Sequence, residues 1–172
     1  MKRLITACLA AVALLATGAC GDGMSKDETT ASANVAKVFA GPTPSAERKS
    51  VASCFGDTLV DEAGIDQLKA DKVLDDDLKA SSRVPQKLSE RTAEAYGDGL
   101  VSCFDFAKLK KDIAKDSGAS AAQVDAYVDC LDGISDADLK QSIVDQYTKG
   151  GKTQLAERVE ATTKKCGKLL GT

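Results

Sequence analysis

The chain has 172 residues, of which 23 are basic and 26 acidic, giving a net charge of −3, and it contains no histidine. This acidic balance, without a long lysine or arginine cluster, excludes the usual nucleic-acid binders, which carry a basic patch or stripe. Without histidine, the chain cannot build a Ser-His-Asp or Cys-His nucleophilic site, or the usual catalytic zinc site.

Residues 1–19 have the layout of a secretory signal peptide. Lys2 and Arg3 form a basic start, residues 4–16 are almost unbroken apolar sequence, and residues 17–19 are small. The apolar run of about thirteen residues is shorter than the roughly twenty that a membrane-spanning helix needs. We therefore predict that residues 1–19 direct export and are removed.

The sequence LATGAC at residues 15–20 resembles a bacterial lipobox, the processing site of bacterial lipoproteins. In that family the cysteine receives a diacylglyceryl group with fatty acyl chains such as palmitate, and cleavage makes it the new N-terminus. The resemblance implies that Cys20 is lipidated, and that the protein sits on the extracytoplasmic face of the cell membrane. Thr17 stands where leucine is usual, and the alternative is ordinary cleavage after Ala19 without a lipid.

The number of cysteines favours lipidation of Cys20. Cys8 would be discarded with the signal peptide, and an exported protein would then keep an odd number of thiols. A thioether at Cys20 leaves four cysteines that can pair completely: Cys54, Cys103, Cys130 and Cys166. Loss of residues 1–19 leaves a net charge of −5, so a covalent anchor rather than charge would hold the protein at an anionic membrane.

Residues 20–46 are predicted to be the lipidated cysteine and a flexible tether. The segment is polar and rich in small residues, with Pro42 and Pro44 near its end. A flexible chain of ~25 residues has an end-to-end distance of about 25–30 Å, which would lift a domain clear of the headgroups. The alternative is that Val38 and Phe39 dock on the domain.

Residues 47–172 are predicted to form one all-α domain. Val51, Cys54, Phe55 and Leu59 follow a helical stripe that ends at Gly64. A second helix begins at Asp66, carries the next three leucines (Leu68, Leu74 and Leu78) and ends before Pro85. Further apolar stripes follow at helical spacing, including one that begins after a capping box at residues 120–123. We expect a compact bundle of about seven short helices.

The four remaining cysteines lie on the apolar faces of predicted helices, as cross-links between helices require. Four cysteines allow three pairings, and we favour Cys54–Cys103 and Cys130–Cys166 because related flanking residues suggest two similar halves. The alternatives are redox catalysis or a zinc site. Both usually need short-spaced cysteine pairs, which this chain lacks.

The densest acidic cluster is residues 75–77, with Asp71 close by. It could bind a hard cation such as calcium, but it lacks the alternating acidic loop of a calcium hand. We interpret it as the solvated face of a helix, and we expect no metal and no cofactor.

Beyond the lipobox, the pattern resembles uncharacterised small helical lipoproteins of actinobacteria, a resemblance that implies a location and no activity. The sequence favours a non-catalytic domain that binds an envelope protein or a cell-wall component, and no nucleic acid. One alternative is a small-ligand carrier, which predicts an apolar pocket of several hundred cubic ångströms between helices. Another is a hydrolase that uses paired carboxylates roughly 5–10 Å apart.

Overall fold

The computed structural model describes residues 23–171 and confirms the all-α prediction. Within that range it has eight α-helices, one short 3-10 helix and no β-strand. The predicted signal peptide (residues 1–19), Cys8 and Cys20 lie outside the described residues. None of the described helices combines the length and the apolar character needed to span a membrane.

The helices follow one another in the order α1 (Lys26–Ala40), α2 (Ala46–Ala63), α3 (Ile65–Ala70), α4 (Glu90–Cys103), α5 (Phe106–Ser117), α6 (Ala121–Leu131), α7 (Asp136–Lys149), α8 (Gln154–Gly167) and the 3-10 helix η1 (Lys168–Leu170). Side-chain oxygens cap the first turn of every α-helix except α3. Ser120 and Gln123 form the capping box that the sequence predicts for α6. Gly118 and Gly150 end α5 and α7 in the left-handed conformation.

Five helices pack side by side in the order α1, α2, α4, α7 and α8. Of the remaining elements, α5, α6 and η1 form a cap, in which α6 contacts α5, α8 and η1, while α3 contacts α2. The C-terminal ends of α1 and α4 lie at the cap end of the bundle, where Phe39, Phe104 and Leu170 line one concavity. The start of α1 lies at the opposite end, beside α3 and the connection that follows it.

The core centres on Phe55 of α2. Its ring stacks on the Phe39 ring, with a centroid distance of 4.3 Å. It also packs in a T-shaped contact with the Tyr96 ring, with a centroid distance of 5.0 Å, and so joins α1 to α4. Tyr96 contacts Tyr147 of α7 at 5.4 Å, which continues the aromatic contacts across the bundle. Burial, and then the neighbouring Tyr147, raise the pKa of Tyr96, so this ring stays neutral at physiological pH. One chain of aromatic contacts therefore links four helices.

The two disulfides join Cys54 to Cys103 and Cys130 to Cys166, the two pairs that the sequence favours. The first connects α2 to α4, and the second connects the cap, through α6, to α8. In both, the Cα atoms lie 5.6 Å apart, the usual span of a disulfide. Each disulfide therefore lies within one of the two halves that the sequence suggests.

The flexible tether predicted for residues 20–46 is wrong over Lys26–Ala40, which form helix α1. Ser25 and Glu28 form a capping box that starts this helix. Ala31 and Val35 are buried against α2, and Phe39 stacks on Phe55. Phe39 thus docks as the alternative predicts, although the Val38 side chain beside it is 42% exposed. The domain therefore includes α1 instead of beginning at residue 47.

The second predicted helix is shorter than expected, because α3 ends at Ala70 and leaves Leu74 and Leu78 outside it. Lys72, two residues after the helix end, has a φ of 60°, and Leu78 has a φ of 62°. Both are left-handed conformations that do not continue a right-handed helix. The Asp75 carboxylate accepts a hydrogen bond from the Lys79 backbone N–H at 2.8 Å and holds a turn. Residues 75–77 are therefore exposed in a turn instead of on a helix face.

Candidate functional site

Two concavities flank the corner between α4 and α5 at the cap end. Helix α4 ends at Cys103, Phe104 has extended backbone angles, and the Asp105 side chain caps α5 by accepting from the Lys108 N–H. Phe104 and Phe106 stand on either side of that cap residue, with ring centroids 5.9 Å apart. Both phenylalanines line both concavities. The short corner thus places two aromatic rings where the bundle meets the cap.

The first concavity, which we call the aromatic cleft, has a volume of about 520 Å³. Its apolar lining is Phe39, Val51, Phe104, Phe106, Leu109, Ile113, Tyr127 and Leu170. Arg48 of α2 forms an ion pair with Asp116 of α5 at its edge, and Ser45 donates a hydrogen bond to Asp112. These polar contacts link α2 to α5 beside an apolar lining.

The second concavity, which we call the acidic groove, has a volume of about 710 Å³. Its apolar floor consists of Leu100, Val101, Phe104, Phe106, Ala107, Val128, Leu131, Ile134 and Leu139. Its rim consists of Asp105, Asp132 and Asp136. The groove therefore combines an apolar floor with carboxylates and has no basic residue in its lining. Asp105 forms an ion pair at 2.9 Å with Lys108, which lies outside that lining.

The acidic groove lies in a strongly negative part of the surface. Residues 121–138 contain five aspartates and no lysine or arginine. The Lys110 ammonium lies 2.7 Å from Asp125, and its pKa is raised by that hydrogen bond and, more weakly, by the charges of Asp129 and Asp132. Asp129, Asp132 and Asp136 themselves form no ion pair within residues 23–171. Their charge is available to a partner.

The structure also brings together a carboxylate pair that we did not predict, Glu62 of α2 and Asp98 of α4. Burial, and then the neighbouring Asp98, raise the pKa of Glu62, while the Lys140 ammonium lies 2.6 Å from the Asp98 carboxylate. A pair with one raised pKa is the arrangement an acid-only hydrolase would use. However, Glu62 is exposed, and neither residue lines the aromatic cleft or the acidic groove. No local motif could have found it, because the two residues meet only through helix packing.

The cation site considered for residues 75–77 and Asp71 does not assemble. Asp71 accepts hydrogen bonds from the backbone N–H and hydroxyl of Ser89, at 3.2 and 2.6 Å, and so secures the start of α4. No group of three or more potential ligand residues in the described part of the chain is arranged to hold a metal ion. The four cysteines form two separate disulfides, so they do not share a zinc site.

No protein-family model matches the chain, and neither a curated protein nor a solved structure matches it. The function is therefore inferred from the geometry and the chemistry of this chain alone.

Proposed function

We propose that this chain is a lipid-anchored extracytoplasmic protein whose helical domain binds a partner and catalyses no reaction. The partner is a protein or a cell-wall component of the envelope. The acidic groove carries the proposal, because an apolar concavity of about 710 Å³ with a charged rim is a feature of binding surfaces.

The proposed location is supported by the signal-peptide layout of residues 1–19 and by the lipobox resemblance before Cys20. It is also supported by the two disulfides, because such cross-links persist in oxidising compartments outside the cytoplasm. Pairing of the other four mature cysteines leaves Cys20 for a thioether.

The position of the groove is consistent with an anchor at Cys20. Helix α1 begins at Lys26, six residues after Cys20, and its 15 residues extend about 22 Å toward the cap end. The acidic groove lies at that cap end. An anchored protein would therefore hold the groove at the far end of α1 from its lipid.

The anchor is tested by replacing Cys20→Ser and following the incorporation of a labelled palmitate analogue in the native bacterium. We expect the wild-type protein to carry the label and the variant to lose it. Cys8→Ser, in the predicted signal peptide, is the matched control and should keep the label. Label that persists in Cys20→Ser, or that is absent from the wild type, would contradict the anchor.

Partner binding is tested by chemical crosslinking and pull-down of the full-length protein from its own membranes. We expect a specific adduct that an unrelated helical domain, carried on residues 1–25 of this chain, does not give. Recovery of no specific adduct would contradict partner binding.

The aromatic cleft favours a second candidate function, the transport or storage of a small apolar ligand. Its volume of about 520 Å³ lies in the ~300–1,000 Å³ range of ligand pockets, and four of its lining residues are aromatic. A carrier should bind a fluorescent fatty acid saturably, and Ile113→Asp should weaken that binding. Absence of saturable binding to the wild type would remove this candidate.

A further inference from the structure

We infer that the acidic groove binds a basic amphipathic segment of a partner protein, with the apolar side chains on its floor and the basic side chains against its rim. This inference rests on the proposed partner-binding function and names the chemistry of the partner. It concerns the groove formed by α4, α6, α7 and the α4–α5 corner.

The floor can hold a row of apolar side chains. It takes residues from three helices and the corner between them, and several of these, such as Val101 and Ile134, remain partly exposed. A groove between helices is the type of surface into which an amphipathic helix places apolar residues at positions i, i+3, i+4 and i+7. The floor therefore fits an amphipathic segment better than it fits a purely polar one.

The negative charge of the rim favours a partner segment that carries positive charge. Asp132 and Asp136 line the groove and Asp129 lies beside it, all three exposed and none in an ion pair within the described residues. Opposite charges across an interface accelerate encounter and disfavour wrong partners. Lysine or arginine in the partner would supply the ion-pair partners that these three aspartates lack within residues 23–171.

The same rim disfavours the other occupants of an apolar groove. A fatty acid or an anionic lipid would bring its negative headgroup close to Asp132 and Asp136, where like charges repel. A neutral apolar ligand would gain nothing from the charges. A basic amphipathic segment is the occupant that uses both the floor and the rim.

The test is site-specific photo-crosslinking of the full-length protein in its own membranes. p-Benzoylphenylalanine replaces Val101 on the groove floor, or Ala161 on the exposed surface of α8 as the control position. Mass spectrometry then identifies the crosslinked segment. We expect an adduct at Val101 with a protein segment that has a net positive charge and apolar residues at helical spacing.

Charge reversal distinguishes specific docking from chance proximity. Asp129→Lys with Asp132→Lys should lower the yield of the Val101 adduct about tenfold. These residues lie at the C-terminal end of α6, where the helix dipole favours cations, so the fold should tolerate the change. Asp76→Lys with Asp77→Lys makes the same charge change in the exposed turn at the opposite end and should leave the yield unchanged.

The remaining outcomes overturn the inference. A lipid, a second copy of this chain, or an acidic or neutral segment at Val101 would identify a different occupant. An adduct insensitive to the Asp129 and Asp132 changes would mean that the rim does not select the partner. Specific protein adducts at Ala161 alone would reject the groove but keep the proposed partner-binding function. Absence of protein adducts at both positions, together with an empty pull-down, would reject both.

Discussion

At the scale of single residues, Gly56 and Gly99 allow α1, α2 and α4 to pack closely. A Cβ atom on Gly56 would lie 2.6 Å from the Ser32 carbonyl oxygen of α1. A Cβ atom on Gly99 would lie 2.8 Å from the Phe55 ring. Such distances are too short for real contacts, so a larger residue must move a helix or the central aromatic ring. Glycine is therefore required by close approach at both positions, although both lie inside helices.

We predict that Gly56→Ala destabilises the domain by about 1–3 kcal/mol, because the added methyl group meets backbone and forces α1 away from α2. Urea unfolding of the two proteins measures the difference. The matched control is Gly167→Ala at the end of α8, where the new Cβ meets nothing within 4 Å and the backbone is right-handed. The control should be neutral or stabilising by up to about 1 kcal/mol. Equal effects at both positions would contradict the packing of α1 on α2.

Asp145 is a buried charged residue that holds the turn between α7 and α8. It is 4% exposed, and its carboxylate accepts hydrogen bonds from Lys149, Thr153 and Gln141 at 2.8, 2.7 and 3.1 Å. The hydrogen bonds from Lys149 and Thr153 lower the pKa of Asp145. The charged carboxylate therefore stabilises the fold at pH values above its unfolded pKa of about 3.9. This contribution is lost as the pH falls through its lower pKa in the folded state.

We predict that Asp145→Asn costs about 1–3 kcal/mol at pH 7, because it removes charge-assisted hydrogen bonds at a buried site. The difference from the wild type should shrink as the pH falls below about 4, because the carboxylate then takes up a proton in the unfolded chain while it stays charged in the folded one. Denaturant unfolding at pH 7 and pH 3 measures both values. Asp116→Asn, in a more exposed ion pair with Arg48, is the control and should cost less than about 1 kcal/mol. A pH-independent difference at Asp145 would contradict the role of its charge.

At the scale of elements, the pattern of apolar residues did not predict helix α1. Residues 26–40 have few large apolar side chains, so their composition resembles a spacer. The buried face instead uses small residues such as Ala31, together with Val35 and Phe39. Small residues permit a close helix contact, but they give a weak apolar stripe. The capping box at Ser25 and Glu28 was a sequence signal that could have identified the helix.

We predict that Phe39→Ala destabilises the domain by about 2 kcal/mol. The variant loses the stacking on Phe55 and the edge contact with Phe104, and a fully buried phenylalanine would cost about 3–5 kcal/mol. Val38→Ala, on the exposed side of the same turn, should change stability by less than about 0.5 kcal/mol. Thermal unfolding compares the two variants. Equal, small effects would mean that α1 does not pack on the domain in solution.

The other elements differ in how far local signals determine them. The ends of α6 and α7 follow from their serine caps and the glycines after them, which are local signals. Helix α3 ends where Lys72 adopts a left-handed φ of 60° and the Val73 N–H donates to the Leu68 carbonyl at 2.9 Å, a turn that the apolar period does not reveal. The acidic groove and the Glu62–Asp98 contact form between distant parts of the chain. Periodicity within one helix therefore could not predict them.

At the scale of the whole molecule, the two disulfides differ in accessibility. Cys54 is exposed and its partner Cys103 is buried, whereas Cys130 is only half-buried and its partner Cys166 is fully buried. The cross-links have sequence separations of 49 and 36 residues, and loops of that size are worth about 4 kcal/mol each on the chain-entropy model. The two bonds should therefore contribute similarly to stability but react differently with a thiol reagent.

We predict that a mild reductant opens Cys54–Cys103 before Cys130–Cys166, because an attacking thiolate needs access to a sulfur atom. Alkylation at timed intervals, followed by peptide mass spectrometry, should label Cys54 and Cys103 first. Replacing Cys54→Ser with Cys103→Ser should lower the free energy of unfolding by about 4 kcal/mol. Earlier labelling of Cys130 and Cys166 would contradict the difference in accessibility.

The inclusion of α1 in the domain changes the reach of the proposed anchored protein. Only five residues separate Cys20 from Lys26, and five residues extend at most about 18 Å. A 25-residue tether would extend about five times as far, and so would sample a volume roughly a hundred times larger. A domain held this closely meets partners that lie in, or come down to, the same membrane surface. Its binding would then depend on partner density per unit of membrane area, and a modest affinity would suffice for lasting association.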